Sequence, residues 1–124
     1  MNIVINLLTG LIAFLHLYFL LLEMFLWTTP KGLKIFGNTL EKARMTKVLA
    51  ANQGLYNGFL SAGLIFSLCS PSAEIAFQLK VFFLSCVLIA GIYGGFTVGK
   101  KILFIQAAPA ALALILGLGQ VIFP

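Results

Sequence analysis

The stretch KVLAANQGLYNGFLSAG, Lys47–Gly63, places Asn52, Gln53, Tyr56 and Asn57 among residues that are otherwise apolar or small. An amide in hydrocarbon without a hydrogen bond costs several kcal/mol. Four polar side chains within about two helical turns therefore call for an internal polar cavity or a helix–helix network. The rest of the chain tells which surroundings these groups meet. Its 124 residues are 61% hydrophobic and 9% charged, with a mean hydropathy of +1.10. Soluble domains carry about a quarter charged residues, so the composition is that of an integral membrane protein. One crossing takes about 20 apolar residues, and the length admits four helices with short connections. The fold expected is an all-α, four-transmembrane-helix bundle with antiparallel neighbours, a single domain over residues 1–124.

Upstream of the central stretch, Asn38 followed by Glu41 has capping-box spacing, which predicts a helix over 39–69 that enters hydrocarbon near Val48. Ahead of it, Ile3–Trp27 contains only His16 and Glu23 as ionisable residues and predicts a helix over 3–27, a retained span rather than a cleaved signal. Thr28-Thr29-Pro30-Lys31-Gly32 breaks that helix. At 100° per residue, Thr9, His16 and Glu23 share one face, with Ile12 and Trp27 close to it. Downstream, Ser70-Pro71-Ser72 closes the central helix and a third spans 73–98. Gly99-Lys100-Lys101 allows only a tight connection to a fourth over 102–123, where Pro109 removes one backbone hydrogen bond. Ala51, Gly54, Gly58 and Ala62 form one strip of small residues and Gly91, Gly95 and Gly99 another, a device for close packing of membrane helices.

The net charge of +5 arises mainly from Lys31, Lys34, Lys42, Arg44, Lys47, Lys100 and Lys101, all in the 28–47 and 99–101 connections. That clustering is a topology signal and not a nucleic-acid footprint. By the positive-inside rule both basic connections are cytoplasmic and both termini lie on the other side of the cell (inner) membrane, where Lys80 snorkels to the interface.

Depths measured from each cytoplasmic boundary place Glu23, Gln53, Tyr93 and Gln106 in one layer about 6–8 Å inside. His16 and Asn57 fall in a deeper layer at about 14–16 Å. Four helices contributing polar groups at one depth predict a cytoplasm-facing cavity. The candidate ligand contacts are His16, Glu23, Trp27, Asn52, Gln53, Tyr56, Asn57, Tyr93 and Gln106, with Lys100 and Lys101 drawing an anionic group to the mouth. His16 and Glu23 are about 10.5 Å apart along the helix, and no His-x-x-x-His or Cys-x-x-Cys spacing accompanies them, so neither a metal nor another cofactor is expected. The function expected is binding of a small amphipathic or anionic molecule, a lipid or metabolite. Two alternatives use the same residues: proton-coupled transport by a homodimer packed on the glycine strips, and an isomerase-type reaction with His16 and Glu23 as acid and base.

HLYFLLLEMFLWTTPKG (16–32), KVLAANQGLYNGF (47–59) and AGIYGGFTVGKKILFIQAAPA (90–110) together resemble domain-of-unknown-function family 1304, a group of small bacterial integral membrane proteins. The resemblance covers nearly the whole chain, implies four transmembrane helices and supplies no activity. A looser likeness, in helix number and in an embedded Glu on the first helix, is to small multidrug-resistance transporters. The strong charge bias departs from the dual-orientation members of that group.

Overall fold

Helix boundaries in this chain follow from a few capping residues. The computed structural model describes residues 2–123. Its described residues form α1 (Ile3–Met24), α2 (Pro30–Phe36), α3 (Leu40–Cys69), α4 (Ala73–Thr97) and α5 (Ala108–Ile122), with a π-helical turn at Leu103–Ala107 leading into α5. The protein is all-α, as expected. Three stretches, Ile3–Met24, Ala73–Thr97 and Leu103–Ile122, are long and apolar enough to cross a membrane. The longest helix, α3 at 30 residues, is not one of them. Glu41, Lys42, Arg44 and Lys47 at its start and the polar residues of its middle dilute its apolar character.

Two local expectations need correction. The 28–47 segment is not simply a connection, because Thr29 and Pro30 start a helix as well as ending one. The Thr29 hydroxyl accepts the Gly32 N–H at 3.3 Å, and Pro30, which has no N–H to lose, stands at the first helical position. Gly37 ends α2 in the left-handed region, at φ 62°, where a side chain would be strained. The cap of α3 is Thr39, not Asn38. Asn38 is still closing α2, its N–H bonded to the Leu33 carbonyl at 3.0 Å, while the Thr39 hydroxyl accepts the Lys42 N–H at 3.2 Å.

α1 ends at Met24, three residues short of the expected Trp27, where the Phe25 and Leu26 N–H groups both turn to the Leu21 carbonyl at 3.1 Å. Farther along, Ser72 caps α4 by accepting from Ile75 N–H. Just ahead of Pro109 the helix widens into the π turn, in which the Ala108 N–H bonds back to the Leu103 carbonyl, a feature the sequence reading did not include. A widened turn relieves the clash that the proline ring would make one turn earlier.

The chain divides into two compact units, and α1 and α3 contribute residues to both. In the Phe14–Ser61 unit, Gly54 and Gly58 let α1 come close. A Cβ on Gly54 would lie 2.7 Å from Met24 Cγ, and one on Gly58 2.6 Å from Leu20 Cδ1. In the other unit, residues 1–13 with 62–124, α4 packs on the π turn and α5. There Gly91 backs onto Ala107 and Gly95 onto Leu103, around a core that includes Leu84, Val87 and Ala110. The small residues at 54, 58, 91 and 95 are thus occupied by neighbours within the chain.

Candidate functional site

The face of α1 expected to be polar is turned inward: Thr9, Ile12, His16 and Glu23 are each at most 3% exposed. Phe14 and Leu21, on other sides of the helix, are exposed. The seven-residue spacing accounts for this, because two helical turns bring each member back to nearly the same direction.

The site is built around Glu23. Asn57 on α3 donates its side-chain N–H to Glu23 Oε1 at 3.1 Å, a buried bond between two helices. Glu23 Oε2 is buried with no hydrogen-bond partner. Gly54, a turn away on α3, makes the close approach possible, since a Cβ there would sit 3.0 Å from Glu23 Cβ. Depth counting puts Glu23 level with Gln53 and Asn57 deeper, beside His16. The observed pairing is one turn farther along α3. The cause is the lean of helical side chains toward the N-terminus of their own helix. Glu23 leans toward the start of α1 and Asn57 toward the start of the antiparallel α3, so the two meet between their Cα levels.

Gln53 is exposed, as are Asn52 and Tyr56, whose ring stacks edge-on against Phe59 at 5.8 Å. Of the four polar residues in the central stretch, only Asn57 turns inward. His16 is fully buried, its ring edge-on to Phe19 at 5.8 Å. Trp27 is half-buried and acts as a pin: its indole N–H donates to Thr46 Oγ1 at 3.1 Å while its ring lies 4.7 Å from that of Phe36. Those contacts tie the end of α1 to α2 and α3. In the other unit, Tyr93 on α4 is 71% exposed, Lys100 and Lys101 are exposed beyond its end, and Gln106 is half-buried in the π turn.

Chemically, the Glu23–Asn57 pair is a half-satisfied polar network. A buried carboxyl oxygen without a partner is a place for a hydrogen-bond donor, supplied by a ligand or by a proton. Lys80 is only 4% exposed; it stands four residues after Ala76 and four before Leu84, both buried, which puts all three on one helical face.

A family model described as "Protein of unknown function (DUF1304)" matches residues 10–118. "Uncharacterized protein YpaA" of Lactococcus lactis subsp. lactis (strain IL1403) is 32% identical over 117 residues, which cover 93% of this chain and 97% of that protein. No solved structure matches the chain significantly.

Proposed function

Given that the chain belongs to the DUF1304 family, whose function is unknown, we propose that it is a four-span membrane protein binding a small amphipathic molecule through Glu23 and Asn57. The observation that carries this reading is the buried Oε2 of Glu23 with no partner beside an Oε1 held by Asn57. A carboxyl fixed by one oxygen presents the other in a set direction, ready for a hydroxyl, amide or amine donor on the ligand. His16, seven residues away on the same buried face, is the second ionisable group available to it. In this reading α3 is the fourth span, both termini lie outside, and the basic connections face the cytoplasm of a plasma (inner) membrane.

Native mass spectrometry of the protein extracted gently from its own membrane tests the site. Wild type is expected to retain one small molecule, and Glu23→Gln to lose it, because the Gln amide replaces an acceptor with a donor. Gln53→Ala, on an exposed side chain, serves as control and retains the ligand. Retention of the same mass by Glu23→Gln and Asn57→Ala alike rules the site out.

The open carboxyl oxygen also favours a second reading, proton-coupled transport, in which Glu23 exchanges a proton for substrate. Substrate-dependent acidification in proteoliposomes, absent with Glu23→Gln, distinguishes it from simple binding.

A further inference from the structure

We propose that Lys31 and Lys34 of α2, together with Tyr18 of α1, bind the headgroup phosphate of an anionic phospholipid at the rim of the bilayer. The site requires that α1 crosses the membrane, as its length and apolarity allow, and it is separate from the Glu23 ligand. Lys31 stands seven residues past Met24, the last residue of α1, yet its Nζ lies over the Tyr18 ring, 5.4 Å from the centroid. Tyr18 is six residues before Met24, about 9 Å back along the helix axis. The ammonium is therefore carried back alongside the span and not out into the water beyond it.

α2 is built to hold it there. Its inner face carries Gly32, buried against the Leu26 carbonyl, and Phe36, whose ring lies 4.7 Å from that of Trp27. Lys31, Lys34 and Ile35, three and four residues apart, share the outer face and are all exposed. Two ammonium groups one turn apart thus face the same way, and neither is drawn into an ion pair among the described residues. Glu23, the acid nearest to Lys31 in sequence, has one oxygen on Asn57 and the other without a partner, and Glu41 is exposed. A ring satisfies only one side of an ammonium, which carries three N–H donors. At the edge of the hydrocarbon, phospholipid phosphate is the acceptor at hand. An anionic lipid gains from both charges, whereas a zwitterionic one brings its own cation. Phe14, one turn deeper than Tyr18, and Leu21 are exposed on the same side of α1, an apolar lane for the first part of an acyl chain.

The experiment titrates the full-length protein, in neutral detergent, with phosphatidylglycerol and with phosphatidylcholine of the same chains, reading bound lipid by native mass spectrometry. Wild type is expected to bind one phosphatidylglycerol more tightly than phosphatidylcholine and to keep it in excess inorganic phosphate. Lys31→Gln combined with Lys34→Gln weakens that binding about 10–30-fold. Tyr18→Leu weakens it as well, and Tyr18→Phe, which keeps an aromatic face for the ammonium, retains it. Lys100→Gln combined with Lys101→Gln removes the same charge from another exposed connection and serves as the control. Equal weakening by the two lysine pairs means diffuse attraction by net charge and overturns the site, as does equal affinity for the two lipids or displacement by phosphate. A lipid that survives loss of Lys31 and Lys34 but is lost with Glu23→Gln belongs to the Glu23 site and also overturns this one.

Discussion

Glu23 holds its two carboxyl oxygens in different circumstances, one accepting from Asn57 at 3.1 Å and the other buried without a partner. The value of the bond itself is modest, since polar pairs between membrane helices average about 0.6 kcal/mol and reach about 1.7. Orphaning a buried acceptor is the larger effect, about 1–3 kcal/mol. Asn57→Leu leaves both oxygens unpartnered and is expected to destabilise the protein by that amount. Glu23→Leu combined with Asn57→Leu replaces the network by apolar contacts and should recover most of the loss. Unfolding in mixed micelles, run as a double-mutant cycle, measures this; an Asn57→Leu variant as stable as wild type removes the hydrogen bond from the account. The polar face was legible in the sequence because Thr9, His16 and Glu23 repeat every seven residues. Which α3 residue meets Glu23 was not. Axial counting tracks Cα atoms, whereas the contact is made by side chains leaning toward each other along antiparallel helices.

At the scale of elements, glycines divide into those that another helix touches and those that none does. Gly54 belongs to the first kind, with Met24 Cγ at 2.7 Å and the Leu20 carbonyl oxygen at 3.2 Å from an added Cβ; Gly119 belongs to the second, with nothing within 4 Å. Gly54→Ala is expected to cost about 1–3 kcal/mol through forced separation of α1 and α3. Gly119→Ala should be neutral or gain up to about 1 kcal/mol by helix propensity. Thermal unfolding of the two variants side by side decides the matter, and equal shifts would show that α1 does not press on Gly54. The breaks around Pro30 and Pro71 and the disturbance at Pro109 were readable, because proline acts on its own neighbours. α2 was missed for a related reason: Thr29-Pro30 carries a stop for one helix and a start for the next, and only the Thr29-to-Gly32 hydrogen bond reveals the start. The choice between Asn38 and Thr39 as cap depended on which backbone groups were already engaged by the end of α2.

For the whole molecule, the decisive quantity is how many helices cross. α1, α4 and the Leu103–Ile122 stretch satisfy length and apolarity, and α3 does not by composition. Its part beyond the last basic residue, Val48–Cys69, still has 22 residues, a rise of about 33 Å against a hydrocarbon thickness of about 30 Å. Its polar middle is the obstacle: Asn57 has a partner in Glu23, while Asn52 and Gln53 are exposed and lie closer to the basic end, within reach of the interface. The length and charge arguments therefore favour a crossing with Arg44 and Ser72 on opposite sides. Single cysteines at Arg44, Ser72 and Lys100, in a background where Cys69 and Cys86 are replaced by alanine, test this with a membrane-impermeant maleimide on intact cells. Ser72→Cys is expected to react at once, and Arg44→Cys and Lys100→Cys only after permeabilisation. Reaction of Arg44→Cys together with Ser72→Cys would leave three crossings and put α3, with Asn57, on the outer surface, which removes the intramembrane Glu23–Asn57 site.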